Sequence, residues 1–192
     1  MSNNWVNILT VSAKEFKCGF CDQKVASDKG YYENVRDSRK NIYICPNCKR
    51  PNYFDPILGQ NPGPKIGSEV KFIHHENVQK LFEETRKCYS IGAYSSCVMG
   101  CRKLLMNIAT SEGAEEGLNY IEYVDFLNNN NFVPPRGKEW VDSIRKIGND
   151  ANHRIELKGE KEASLILSFT EMLLRFIYEM PGLMQENSIS KQ

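Results

Sequence analysis

The sequence predicts a mainly α-helical protein led by a small β-rich module. Three observations carry this expectation: two Cys-x-x-Cys pairs near the start, a Gly/Pro-rich break near residue 61, and three- and four-residue apolar spacing after that break.

Before the break, aromatics and short alternating segments dominate. Asn41-Ile42-Tyr43-Ile44 alternates polar and apolar residues, as a half-buried strand does. Asp28-Lys29-Gly30 reads as a turn ahead of a Tyr31-Tyr32 strand. Gly59-Gln60-Asn61-Pro62-Gly63-Pro64 punctuates strongly, so residues 59–68 are expected to be a linker behind a module at 1–58.

After Ser68 the period becomes helical and about five helices are expected. The first runs from about Glu69 or Asn77 to Ser90, with Val78, Leu81, Phe82, Thr85 and Tyr89 on one face. The second, about Ala93 to Ser111, places Tyr94, Cys97, Val98, Cys101, Leu104, Leu105 and Ile108 along one stripe. A short third covers about Leu118 to Leu127. Pro134-Pro135 precedes a fourth, about Arg136 to Asn152, because proline is tolerated in a first turn. The fifth, about Lys161 to Met180, is apolar on more than one face, which suits a central or interface helix. Pro181 is expected to stop it, giving a bundle at 69–181 and a flexible tail at 182–192.

Composition narrows the function classes. The 192 residues carry 25 Lys/Arg against 24 Asp/Glu, a formal net charge of +1, with 41% hydrophobic residues. Mean hydropathy is −0.50, and no apolar run approaches the 18 or so residues that spanning a bilayer requires. A membrane-spanning, collagen-like or wholly disordered chain is excluded, and so is a strongly basic nucleic-acid domain. Met1 to Trp5 lacks a basic region followed by an apolar stretch, and the seven cysteines are an odd number, so a reducing, cytoplasmic setting is expected.

Four of those cysteines form the strongest chemical signal. Cys18-Gly19-Phe20-Cys21 and Cys45-Pro46-Asn47-Cys48 are two knuckles of the kind that give Zn²⁺ a tetrahedron of thiolates. A segment under 60 residues buries too little apolar surface to fold unaided, so one structural Zn²⁺ per chain is expected to hold the ribbon together. Four thiolates leave no open coordination position, which makes the site structural rather than catalytic. Residues 1–55 hold nine Lys/Arg against six Asp/Glu, a formal +3 that a Zn²⁺ with four thiolates reduces by two. Lys17, Lys24, Lys49 and Arg50 flank the ligands and are expected to offset that negative cluster. The ribbon thus reads as a folding and docking module, with nucleic-acid reading as the alternative.

Cys97 and Cys101 stack at i and i+4 on the apolar stripe of the second helix and, with Cys88, are expected to be core residues rather than ligands. His74-His75 diverge in direction and read as surface. In Arg145-Lys146-Ile147-Gly148-Asn149-Asp150-Ala151-Asn152-His153-Arg154, Arg145, Asn149 and His153 recur every four residues. Guanidinium, carboxamide and imidazole on one helix face suit an anionic phosphate. A polar helix end, loosened by Gly148 and capped by Asn149 and His153, is the other reading of the same residues.

Together, the ribbon, the helix Ala93-Tyr94-Ser95-Ser96-Cys97-Val98-Met99-Gly100-Cys101-Arg102-Lys103-Leu104-Leu105, the Ile144 to His153 segment and the ending Phe176-Ile177-Tyr178-Glu179-Met180-Pro181 resemble a known family. It is a widespread prokaryotic family of uncharacterised helical domains, often led by a zinc ribbon, within the HEPN superfamily. The resemblance spans about residues 15 to 181. It implies a HEPN-like bundle that usually dimerises and, in many members, metal-independent ribonuclease chemistry in toxin–antitoxin and anti-phage systems. It implies His153 as acid/base and Asn149 as its polar partner. The family's arginine stands closer to its histidine than the seven residues that separate Arg145 from His153, and Gly148 occupies the nearer position. Arg145, or Arg102 from the facing helix, is then expected to supply the cation.

Three functions are compatible with these residues: a ribonuclease of a defence or toxin system, a non-catalytic RNA- or nucleotide-binding module, and a homodimeric subunit whose ribbon docks a protein partner. None requires a membrane.

Overall fold

The computed structural model describes residues 5–33, 40–134, 137–149 and 157–189. The chain divides into two compact units, Met1–Lys65 and Ile66–Gln192. No helix among the described residues is long and apolar enough to cross a membrane.

The first unit is an antiparallel meander of β1 (Leu9–Lys17), β2 (Lys24–Tyr32), β3 (Asn41–Ile44), β4 (Pro51–Asp55) and β5 (Gly59–Asn61), ordered in space as in sequence. Its inner face is aromatic. Phe16, Tyr43 and Phe54 meet edge-on or tilted, with ring centroids 5.2 to 6.0 Å apart, beside the buried Cys18 and Cys45. Pairing puts Gly30 opposite Tyr43 and Tyr43 opposite Asn52 on that face. The alternate row, Tyr31 opposite Ile42 and Ile42 opposite Tyr53, therefore points the other way.

The expected linker does not begin at residue 59. Asp55 Oδ1 accepts from the backbone N–H groups of Ile57 and Leu58 at 2.8 and 3.1 Å, which turns the chain back. Gly59, at φ +78°, completes the turn, and Gly59–Asn61 pairs with β4 as a fifth strand.

In the second unit, α1 (Glu76–Ser90), α2 (Tyr94–Ser111), α3 (Tyr120–Asn129), α4 (Lys138–Asn149) and α5 (Glu160–Leu174) enclose one apolar core. With the five strands, these helices make a mixed layout: an N-terminal β-sheet followed by a helical region. The central helix is α2, which packs against α1, α3, α4 and α5. Its stripe Cys97, Val98, Cys101, Leu104, Leu105 and Ile108 is fully buried, as its spacing requires. Where α1 crosses α2, Gly100 makes room by having no Cβ: a methyl group there would overlap Thr85 Oγ1, itself bonded to Leu81 O at 2.7 Å. A capping box starts α3, Asn119 accepting from Glu122 N at 3.1 Å while the Glu122 carboxylate accepts from Asn119 N at 2.7 Å.

Pro181 does not end the last helix. A π-helical turn, Arg175–Glu179, follows α5, and α6 (Met180–Ile189) continues from it. The backbone stays helical through the proline, whose missing N–H falls where the wider π-turn passes into α6. Residues expected to form a flexible tail from 182 onward are helical as far as Ile189.

Before α1, the extended segment from Ile66 is tied down by buried and half-buried arginines. Arg86, 1% exposed, donates to the carbonyls of Ile66 and Gly67 at 2.9 Å each, and its charge is met by Glu83. Arg175, bridged to Glu171 and Glu179, donates to the Ser68 hydroxyl.

Candidate functional site

Each cysteine pair sits in a turn between antiparallel strands, and the two turns are built alike. In the first, Asp22 N donates to Cys18 O at 3.0 Å and Cys18 N to Gln23 O at 2.9 Å. In the second, Lys49 N donates to Cys45 O at 2.9 Å and Cys45 N to Arg50 O at 3.0 Å. The residue after each second cysteine, Asp22 or Lys49, has left-handed φ of 64° or 60°. That conformation curls both backbones so that the cysteines of each pair aim their sulfurs the same way.

The four sulfurs converge. Cys18 to Cys48 and Cys21 to Cys45 are each 3.7 Å apart, and all four Sγ atoms lie within 4.8 Å of one another. A regular tetrahedron with Zn–S bonds of about 2.3 Å separates its sulfurs by about 3.8 Å. The cluster therefore fits a Zn²⁺ ion, and its spacing is far longer than a disulfide bond. Among the described residues it is the sole group of three or more Cys, His, Asp or Glu side chains arranged to hold a metal ion.

The thiols are electrostatically unequal. Burial pushes Cys48 up to about 12 and also raises Cys45. Burial acts on Cys21 in the same sense, but hydrogen bonds from the Asn47 side chain and the Gln23 backbone outweigh it and bring that thiol to about 7. A divalent cation replaces the protons and removes this conflict.

Sequence reasoning missed the groups that touch the sulfurs. Asn52, fully buried on β4, donates to Cys18 Sγ at 3.5 Å, and its oxygen accepts from Gly19 N at 3.1 Å. Asn47 Nδ2 lies 3.5 Å from Cys21 Sγ. The flanking cations are engaged elsewhere: Lys17 with Asp22 at 2.9 Å, Lys24 with Glu15 at 3.6 Å, Lys49 with Pro46 O at 2.6 Å, and Arg50 over the Phe20 ring at 5.3 Å. Trp5 Nε1 donates to Lys49 O at 2.6 Å and pins the second turn from outside.

Cys97 and Cys101 are fully buried in the helical core, and Cys88 packs against it, as core residues do.

Of the phosphate-facing candidates, Arg145 is held by two carboxylates. Its Nε donates to Asp125 Oδ1 of α3 at 2.7 Å and its Nη1 to Asp142 Oδ1 at 2.5 Å. Burial works against its charge, but the two carboxylates prevail and raise its pKa. Arg102, 8% exposed on α2, lies 4.6 Å from the centroid of the Tyr120 ring, and burial lowers its pKa. The two arginines thus meet α3 five residues apart, at Tyr120 and Asp125, about 7.5 Å along the axis. The buried Tyr120 hydroxyl has no hydrogen-bond partner among the described residues. Asn149 ends α4 one turn beyond Arg145, while its side chain and the whole of His153 lie outside the described residues.

A family model, described as a domain of unknown function (DUF4145), matches residues 83–192. The match runs from within α1 to the end of the chain and takes in Arg102, Arg145, Asn149 and His153. No match is found among curated proteins or solved structures.

Proposed function

The chain belongs to the DUF4145 family, and we propose that it is a HEPN-like, nucleic-acid-directed protein of a prokaryotic toxin or anti-phage defence system, its helical unit acting as a metal-independent ribonuclease. The observation that carries this reading is the end of α4. Asp125 and Asp142 hold Arg145 in one place, Asn149 follows one turn on, and His153 lies four residues further along the chain.

In this reading His153 accepts the proton of a ribose 2′-OH as that oxygen bonds to the adjacent phosphorus. The bond from phosphorus to the 5′-oxygen breaks, the leaving oxygen takes a proton from the imidazolium, and a cyclic phosphate remains. Arg145 or Arg102 bears the charge of the transition state and Asn149 orients the phosphate. One Zn²⁺ per chain on Cys18, Cys21, Cys45 and Cys48 supplies a cross-link for the ribbon. Thiolate ligands of this kind suit a reducing cytoplasm. A homodimer through the helical unit is part of the same reading, supported by the exposed apolar residues Phe176, Met180 and Leu183 at the end of the bundle.

The Arg145 clamp also favours a second reading. Two carboxylates neutralise this arginine before any phosphate arrives, which suits a non-catalytic RNA- or nucleotide-binding, dimerisation or partner-docking module. The test is cleavage of a labelled single-stranded RNA by purified protein. His153→Ala should abolish cleavage by at least about 10²-fold with folding intact, and a chelator that leaves the thiolate site loaded should not inhibit. Cleavage that survives His153→Ala removes the catalytic assignment, and binding without cleavage by wild type selects the second reading.

A further inference from the structure

The outer face of the β-sheet carries a row of side chains that the metal centre does not use. Tyr31, Ile42 and Tyr53 stand side by side on three neighbouring strands, which places the tyrosines about 10 Å apart. Each is half-buried, and with Lys40 they line a cavity of about 310 Å³. Both tyrosine hydroxyls are already occupied: Tyr31 donates to Val6 O, and Tyr53 donates to Asp55 Oδ2 at 3.1 Å. The rings are thereby anchored at their tips, so what they offer a ligand is flat apolar surface.

The row continues. Trp5 lies 6.4 Å from Tyr31, ring to ring, and borders a second cavity of about 440 Å³ lined also by Ile44, Lys29 and Lys49. Aromatic surface thus alternates with aliphatic surface along one face, with a lysine at each cavity. Residues 1–65 hold ten Lys/Arg against six Asp/Glu, so the unit stays at a formal +2 after a zinc–thiolate cluster removes two charges. Lys40 and Lys29 are paired with Glu33 and Asp28 at 3.5 and 3.6 Å, exposed pairs weak enough for a phosphate to displace.

We infer that this face is a stacking platform for single-stranded nucleic acid, with bases on Tyr53, Tyr31 and Trp5 and the backbone along Lys40, Lys29 and Lys49. Base–aromatic stacking is tolerant of sequence, and the mild positive charge matches an extended phosphate backbone. The inference concerns the ribbon alone and does not depend on ribonuclease activity in the helical unit.

The experiment uses the zinc-loaded full chain and measures the fluorescence anisotropy of labelled oligouridine and oligothymidine at two salt concentrations. Binding should weaken as salt rises. Tyr53→Ala and Tyr31→Ala should each cost about tenfold or more, Tyr53→Phe should stay within about threefold of wild type, and Ile57→Ser at the β4–β5 turn should change nothing. Amide chemical-shift mapping on the wild type provides a readout that needs no variant. Shifts centred on Tyr31, Ile42 and Tyr53 support the platform. No binding at low salt, shifts confined to the helices, or equal losses in Tyr53→Phe and Tyr53→Ala overturn it. Capture of a proline-rich peptide on this row with neither oligonucleotide bound assigns the face to a protein and likewise overturns it.

Discussion

Asn52 couples β4 to the first cysteine turn: one amide donates to Cys18 Sγ at 3.5 Å and accepts from the Gly19 N–H at 3.1 Å. A fully buried carboxamide that joins a ligand to its own turn sets the direction of the sulfur and leaves little freedom in the loop.

Asn52→Leu should therefore weaken metal binding by about 10- to 100-fold, the usual cost of removing a group that orients a ligand. Asn52→Ala leaves the Gly19 N–H buried without an acceptor and should cost about 1–3 kcal/mol. Competition with a chromophoric chelator and thermal melts measure the two effects. Unchanged affinity in both variants would show that the turns alone orient the sulfurs.

Elemental analysis of the wild type should return one zinc per chain. Cys45→Ser should reduce this below half an equivalent and remove the amide protection of β1 to β4, because ligand binding and folding of so small a unit are one equilibrium. Cys97→Ala should leave the zinc content unchanged and cost about 1–3 kcal/mol through the cavity it opens.

Gly100→Ala should destabilise the helical unit by about 1–3 kcal/mol despite the better helix propensity of alanine, because its methyl group overlaps Thr85 Oγ1. The double variant with Thr85→Ala should recover a large part of that loss. A double-mutant cycle with coupling below about 0.5 kcal/mol would mean that α1 and α2 simply move apart.

Asp125→Ala combined with Asp142→Ala should free the Arg145 guanidinium and tighten RNA binding several-fold, whereas Arg145→Ala should weaken it. The pair of exposed or half-exposed contacts should contribute only about 1 kcal/mol to stability, so both proteins should stay folded in thermal melts. If removing the carboxylates weakens binding instead, the clamp positions the arginine rather than masking it.

Much of this was legible in the sequence wherever the determining residues lie within one element. The spacing Cys97, Val98, Cys101, Leu104, Leu105 and Ile108 places the second helix, and two Cys-x-x-Cys pairs mark the four cysteines that cluster, because a helix turn or a tight turn is decided by neighbours a few positions away. Pro181 misled for the same reason: its local meaning is a stop, but a π-turn just before it shifts the proline into a tolerated position.

Local residue patterns are enough to show which residues can ligate a metal, where the main helices lie, and that the front of the chain is β-rich. Tertiary structure alone decided that Asn52 touches Cys18, that Asp125 restrains Arg145 from 20 residues away, and that Tyr31, Ile42 and Tyr53 form one row. These relationships depend on strand register and helix docking, which are fixed by burial of distant apolar residues against one another. No local pattern encodes which polar groups that burial brings together.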